Sequence, residues 1–293
     1  MPFVSVIIPT YRDYDKLRYC IDALTQQTYP SDKFEVIVID NNTDETFVSR
    51  ENLSFPASVR IERERKPGSY AARNKGLAVA KGDIIAFTDS DCIPDASWIE
   101  NGVAALASQP HPSIVGGRVE FRFRGASPST AELYDSLFSI NQKHFIENAG
   151  FAATANLFTS KEVFQKTGGF SELHYSGGDF EWCRRAVTLG ASLFFADQAI
   201  VFHPARRSIR KIILRARRIV GGIYINHNGK AKKYLDYLRY MQSDTRYRFN
   251  RLQKITGISP SQKRRILFLE CIVHSVRIFE MIRLRLGGRA MRD

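Results

Sequence analysis

Apolar residues along the first hundred positions come in short unbroken runs, separated by segments where they recur every three or four residues. Val4–Ile8, Glu35–Ile39 and Ile84–Thr88 are the runs. Runs of this length without alternation predict strands buried on both faces. Leu17, Ile21 and Leu24 set a helical period over Asp15–Gln27. Ser69–Ala80 reads as a second helix, with Ser69 as its N-cap and Gly82 near its end. Arg60–Arg63 is a short further strand. The alternation of strand and helix predicts an α/β fold, a mostly parallel central sheet with helices on both faces.

The pattern loosens after Ser113. Val115–Phe123 reads as a strand and Ser129–His144 as a helix, and Phe151–Phe158 is apolar and small. Lys161–Gln165 starts a short helix and Asp179–Thr188 forms another, with strands at Ser192–Phe195 and Ala199–Phe202. After Pro204 only helical periods remain, over Ser208–Tyr224, Lys230–Lys254 and Ser261–Leu286. The chain therefore divides into an α/β domain at 1–204 and a helical region at 205–293.

Charge sharpens that division. The net charge of +13 is unevenly placed: residues 1–200 hold 20 Lys and Arg against 25 Asp and Glu, whereas residues 201–293 hold 23 against 5. A basic block of this kind meets nucleic acid, anionic lipid or a phosphorylated substrate. No nucleic-acid recognition motif accompanies it, which disfavours the first. In the last helix Ile266, Leu269, Ile272, Val273, Val276 and Phe279 share one face, while Arg265, Arg277, Arg283 and Arg285 lie largely elsewhere. Two readings follow. The apolar face lies in an anionic membrane interface, or it packs on the α/β domain or on a second subunit as a homodimer contact.

The four cysteines are far apart and form no CxxC pair, which points to a reducing compartment. The sequence shows neither the charged and apolar regions of a signal peptide nor an uncharged apolar stretch of spanning length. The expected location is cytoplasmic, peripheral at the inner face of the cell membrane.

Polar clusters stand where the predicted strands end: Thr10-Tyr11-Arg12, Asp40-Asn41-Asn42 and Asp89-Ser90-Asp91. Open α/β sheets bind ligands at those ends. Asp89 and Asp91 repel unless a proton or cation lies between them, and a hard divalent ion with oxygen ligands fits. The plain alternative is a turn, since Asp and Ser favour turns. Asp40 has the same alternative. His203 also reads as a strand-end histidine, and Trp182 reads either as core or as the wall of an acceptor pocket.

The segments VSVIIPTYR (4–12), EVIVIDNNTDET (35–46), KPGSYAARNKGL (66–77) and GDIIAFTDSDC (82–92) occur in this order, followed by FAATANLFTSKEVFQKTGGF (151–170) and SGGDFEWCRRAVTLG (176–190). Together they resemble the family 2 glycosyltransferases, inverting enzymes of GT-A fold, over about residues 3–204. The resemblance implies a donor part at about 1–112 and an acceptor part at about 113–204. It implies that Pro9, Thr10 and Tyr11 line a nucleotide pocket and that Asp40 reads the base, commonly uracil, of a UDP-sugar. Arg73 and Asn74 match positions near the nucleotide and diphosphate. Asp89, Ser90 and Asp91 match the DxD motif, with Asp91 the direct ligand of Mn2+ or Mg2+ and His203 joining the metal shell. Asp179 matches the general base.

Two departures stand out. The common Glu-Asp-x-Asp at the base motif is here Gly178-Asp179-Phe180-Glu181, which leaves both Asp179 and Glu181 as catalytic candidates. No QxxRW follows His203, so the chain resembles non-processive members. The function implied is sugar transfer to a glycan or lipid-linked glycan in surface polysaccharide or glycoconjugate synthesis. A catalytically silent sugar-binding module is the alternative, opposed by Asp89, Asp91 and Asp179. A nucleotidyltransferase would need a glycine-rich basic loop near the N-terminus, and Pro9-Thr10-Tyr11-Arg12 is not one.

Overall fold

The computed structural model describes residues 1–41, 55–56, 58–226 and 231–291. Residues 42–46 of the second motif, and Lys230 at the start of a predicted helix, lie outside the described residues.

The chain divides into two units. The first comprises Met1–Phe121, Asn141–Glu172 and Gly178–Pro204. Its elements begin with β1 (Val4–Thr10), α1 (Tyr14–Thr25), β2 (Phe34–Asp40), β3 (Val59–Arg63), α2 (Ser69–Val79), β4 (Ile84–Thr88), β5 (Ile93–Pro94) and α3 (Trp98–Ala107). The single sheet of eight strands includes β6 (Ser113–Arg122), β7 (Asn156–Ser160) and β8 (Ser192–Pro204), in the order β3-β2-β1-β4-β7-β6-β8-β5. The first four strands are parallel, and β7 turns antiparallel to β4. Every residue of β1 and β4 is buried, as their continuous apolar runs require. Ser5 is polar and lies within the β1 run, and its hydroxyl is satisfied: it donates to Glu35 at 2.6 Å and accepts from the Gly82 N–H at 2.8 Å.

Beyond shifts at element ends, the structure differs from the sequence reading in four places. Gly68, not Ser69, caps α2; its φ of 126° is a conformation that favours glycine. The predicted helix at Ser129–His144 is broken into α4 (Thr130–Phe138) and α5 (Gln142–His144), the latter running into a π-turn at Phe145–Ala149. The two predicted strands near 192–202 are one continuous β8, whose apolar pattern is interrupted by exposed Asp197 and Gln198. Helix α3 had no counterpart in the sequence reading. Its buried stripe is only Trp98, Ile99, Gly102 and Val103, too short to show a period, and Gly102 sits against the Phe158 ring.

Asn156 joins the two sides of the sheet. It is fully buried, accepts from Trp98 Nε1 at 2.9 Å, and donates to the carbonyls of Arg118 (2.9 Å) and Ala199 (2.8 Å). Two short helices, α6 (Lys161–Thr167) and α7 (Gly178–Thr188), complete the unit.

The second unit comprises Arg122–Ile140, Leu173–Gly177 and Ala205–Asp293. It holds α4 with α8 (Ile209–Asn226), α9 (Ala231–Lys254) and α10 (Pro260–Arg285). Ile266, Leu269 and Val273 of α10 pack with Leu133, Leu137 and Phe138 of α4 and with Ile212 and Ala216 of α8. That half of the apolar face, which the sequence leaves open to a membrane interface or to packing, is therefore interior. The cause is α4, a partner drawn from before residue 205. Part of the basic excess is interior too. Arg248 and Arg277 are buried and both reach Asp244, at 2.8 and 2.9 Å, and Arg217 and Arg283 flank fully buried Glu280. Each buried acid is thus matched by arginines, as ions taken out of water must be.

Asn156→Leu would leave the Trp98 N–H and two carbonyls without partners. It is expected to cost on the order of 3–5 kcal/mol, read as a lower urea midpoint at unchanged m.

Candidate active site

The carboxyl ends of the four parallel strands carry the polar residues. Pro9 is buried in β1, and Thr10 at its end is 2% exposed, with Oγ1 lacking a hydrogen-bond partner among the described residues. Tyr11 is exposed, and Arg12, held at φ 54°, lays its guanidinium 5.4 Å from the Tyr11 ring. Asp40 closes β2 and is 3% exposed. Tyr14 faces it: burial first, then the Asp40 carboxylate, pushes the phenol above its ordinary value and keeps it protonated. Next in sequence, Asn41 donates to the carbonyls of Glu64 (2.9 Å) and Lys66 (2.7 Å) and accepts from the Gly68 N–H at 2.7 Å. It clips the loop that leads into α2, a role the Asp-Asn-Asn cluster did not reveal.

Helix α2 delivers Arg73 and Asn74. Arg73 is 4% exposed and donates through Nη2 to Asp89 Oδ1 at 2.6 Å. Asn74 is engaged by the loop after α6. It donates to the Phe170 carbonyl and to Glu172, both at 2.9 Å, and accepts from the Phe170 N–H at 2.8 Å. The structure thus shows Asn74 ordering a loop.

After β4 the chain turns at Asp89-Ser90-Asp91, closed by the Cys92 N–H donating to the Asp89 carbonyl at 3.0 Å. The two acids diverge. Asp89 faces Arg73, while Asp91 Oδ1 lies 3.7 Å from His203 Nε2 of β8. Ser90 is buried between them in sequence. Nδ1 of His203 is 2.9 Å from the Pro204 carbonyl. Since a carbonyl only accepts, Nδ1 carries the proton and Nε2 keeps its lone pair toward Asp91. Donor atoms of Asp91, Cys92 and His203 all lie within 4.8 Å of one another. Burial, then Asp91 and Asp89, raises the Cys92 thiol well above its ordinary value, so it stays a thiol. A carboxylate and a free imidazole nitrogen remain, a donor set that suits Mn2+ or Mg2+ completed by oxygen ligands.

The two base candidates separate on α7. Glu181 is bound by Arg185 in a forked pair, at 2.9 and 3.1 Å, and Arg185 also donates to the carbonyls of Thr167 and Gly169. Asp179, at the first turn, has no such clamp. Its Oδ1 accepts from the Phe180 N–H at 2.9 Å and from the Tyr70 hydroxyl at 3.2 Å. Desolvation raises its carboxyl above the ordinary range, opposed by the Phe180 N–H and by the positive charge of Arg73. Trp182 is core: it is fully buried, donates to the Gly168 carbonyl at 2.9 Å and stacks on Phe164 at 4.3 Å.

Residues 5–168 match the family description "Glycosyl transferase family 2". The chain is 40% identical over 209 residues to Glycosyltransferase AglE of Haloferax volcanii, covering 70% of this chain and 68% of that one. It is 22% identical over 225 residues to the dolichyl N-acetyl-alpha-D-glucosaminyl phosphate 3-beta-D-2,3-diacetamido-2,3-dideoxy-beta-D-glucuronosyltransferase of Methanococcus voltae, covering 73% and 70%. Among solved structures it resembles the mannosyltransferase PcManGT of Pyrobaculum calidifontis, in complex with GDP-Man and Mn2+, with a TM-score of 0.57 and 20% identity over 96% of this chain and 72% of that one. A buried parallel sheet with divergent carboxylates at one strand end, a family match across more than half the chain and this relative together place the protein: it belongs to the family 2 glycosyltransferases.

Proposed function

We propose that the protein transfers a sugar, with inversion, from a nucleoside diphosphate sugar to a hydroxyl of a glycan or lipid-linked glycan. The observation that carries this reading is Arg73. One buried guanidinium bonds Asp89 and acts electrostatically on Asp179, so both carboxylates belong to one polar centre. Asp40 accepts a ring N–H of the base, as a uracil offers. Guanine offers the same edge, and the resembling structure with GDP-Man keeps that donor in the comparison. The Methanococcus relative, named for a dolichyl-phosphate-linked sugar, supports a lipid-linked acceptor.

Asp91 and His203 would hold the divalent ion. When bound, it supplies Lewis-acid stabilisation of the charge that develops on the leaving diphosphate. Arg73 orients Asp89 and offsets its negative charge. Asp179, ionised, takes the proton of the acceptor hydroxyl. The acceptor oxygen bonds to the anomeric carbon as the bond to the diphosphate oxygen breaks, and the nucleoside diphosphate leaves with the electron pair.

We place the enzyme at an anionic membrane surface, through an exposed stripe of α10 that shares only Phe279 with the face the sequence suggested. Phe268, Phe279, Ile282 and Leu286 recur at helical spacing and are 69%, 65%, 45% and 84% exposed. Arg264, Arg265 and Arg285, beside them, are exposed. Apolar side chains ringed by arginine suit an interface of anionic lipid. No helix among the described residues is long and apolar enough to cross a membrane.

Turnover of a nucleotide sugar is expected to vanish in chelator and return with Mn2+ or Mg2+, and Asp91→Asn or His203→Ala should raise the metal concentration required. Full turnover in chelator contradicts the metal site. Asp179→Asn is expected to lower kcat by about 100-fold or more with donor binding retained, while Glu181→Gln keeps most activity. Protonated Asp179 cannot take a proton, so kcat/KM of the native enzyme should fall as pH drops through a value above the ordinary aspartate of about 3.9. In co-sedimentation at low salt, the protein should pellet with phosphatidylglycerol vesicles. Phe268→Ser with Phe279→Ser should return it to the supernatant. A native protein that stays in solution and sediments as a dimer assigns the stripe to a second copy instead.

A further inference from the structure

Two features around Asp179 have no role in the mechanism above: a buried tyrosine hydroxyl that touches it, and a glycine immediately before it. Tyr70 is 5% exposed. Its ring packs against the Arg73 guanidinium, 5.6 Å away, and against the Phe170 ring, at 5.5 Å. Its hydroxyl reaches Asp179 Oδ1 at 3.2 Å. A Cβ on Gly178 would stand 2.7 Å from Cε2, 2.8 Å from Cζ and 2.9 Å from Cδ2 of the same ring. No side chain fits there without moving the tyrosine.

We infer that Tyr70 is a positioning residue for Asp179, and that Gly178 is the glycine that admits its ring. The inference rests on the reading of Asp179 as the base. The tyrosine hydroxyl and the Phe180 N–H converge on Oδ1, and neither reaches Oδ2. They fix the orientation of the carboxylate through that oxygen. A carboxylate free to rotate would spend part of its time misdirected, a loss that falls on kcat rather than on donor binding. Toward the Asp179 carboxylate the Tyr70 hydroxyl is the donor, because burial and the adjacent Asp179 hold its phenol well above its ordinary value. The other groups that act on Asp179 are Arg73 from α2 and the Thr154 N–H ahead of β7, and on its own helix Asp179 and Glu181 both act on the buried Cys183 thiol. Among these Tyr70 is the one side-chain hydrogen-bond donor to Asp179.

A hydrogen bond to the ionised form favours it, so removing the hydroxyl should raise the carboxyl further. Tyr70→Phe keeps the ring and its packing on Arg73. It is expected to lower kcat by about 10-fold, leave the donor KM within about twofold, and move the acidic limb of kcat/KM up by about one pH unit. Gly178→Ala, which pushes the ring without removing the hydroxyl, should give the same kcat loss and the same direction of shift. Melting temperatures of both variants, measured alongside, show that they fold. Tyr70→Phe with native kcat and an unmoved limb overturns the inference, and so does a kcat loss with an unmoved limb, since core packing alone would produce that. Asp179→Asn, run in parallel, separates the two claims. If that variant is active the base assignment fails; if it is inactive and Tyr70→Phe behaves as native, only the positioning role fails.

Discussion

Acidic groups gathered at one end of a buried sheet repel, and this structure depends on the cation that makes their proximity tolerable. Arg73 is nearly fully buried, bonded to Asp89 at 2.6 Å, stacked near Tyr70 and lowering the carboxyl of Asp179. A guanidinium so placed is costly to desolvate and recovers that cost only from charges held close in good geometry. Helix α2 must therefore sit tightly on the sheet. Gly76 secures this, since a Cβ there would lie 2.4 Å from Ile7 of β1.

The two acids of the Asp-Ser-Asp turn are divided between partners. Asp89 is held by protein charge. Asp91 faces His203, whose proton is fixed on Nδ1 by the Pro204 carbonyl. Lys16 lies 3.8 Å from the other oxygen of Asp91. Dividing the two carboxylates between separate basic partners avoids placing two bare negative charges on the same point.

Most of the α/β unit was legible because buried parallel strands leave unbroken apolar runs. The predicted Ile84–Thr88 and the observed β4 coincide, and β1 and β2 differ from prediction only at their ends. Helix α3 and the unity of β8 were not legible: one buries too few large residues to show a period, and the other carries exposed polar residues mid-strand. Which of the two readings applies to the α10 face was not legible, because its partner α4 lies far earlier in the chain. At the site, the residue types were visible and their commitments were not. Only coordinates show Glu181 bound by Arg185 and Asn74 bound to the Phe170–Glu172 loop. The glycine where the family pattern carries an acid read as a loss, and it has a steric cause, because the Tyr70 ring fills the space a side chain at 178 would need.

A single displacement by a hydroxyl deprotonated at Asp179 has one stereochemical consequence. Proton NMR of slow donor hydrolysis, with water as the acceptor and Mn2+ present, reads it before the released sugar equilibrates. An α-linked nucleotide sugar should give the β-anomer of the free sugar first. First appearance of the α-anomer would contradict the account, because retention requires a different arrangement of nucleophile and base from the one these residues make.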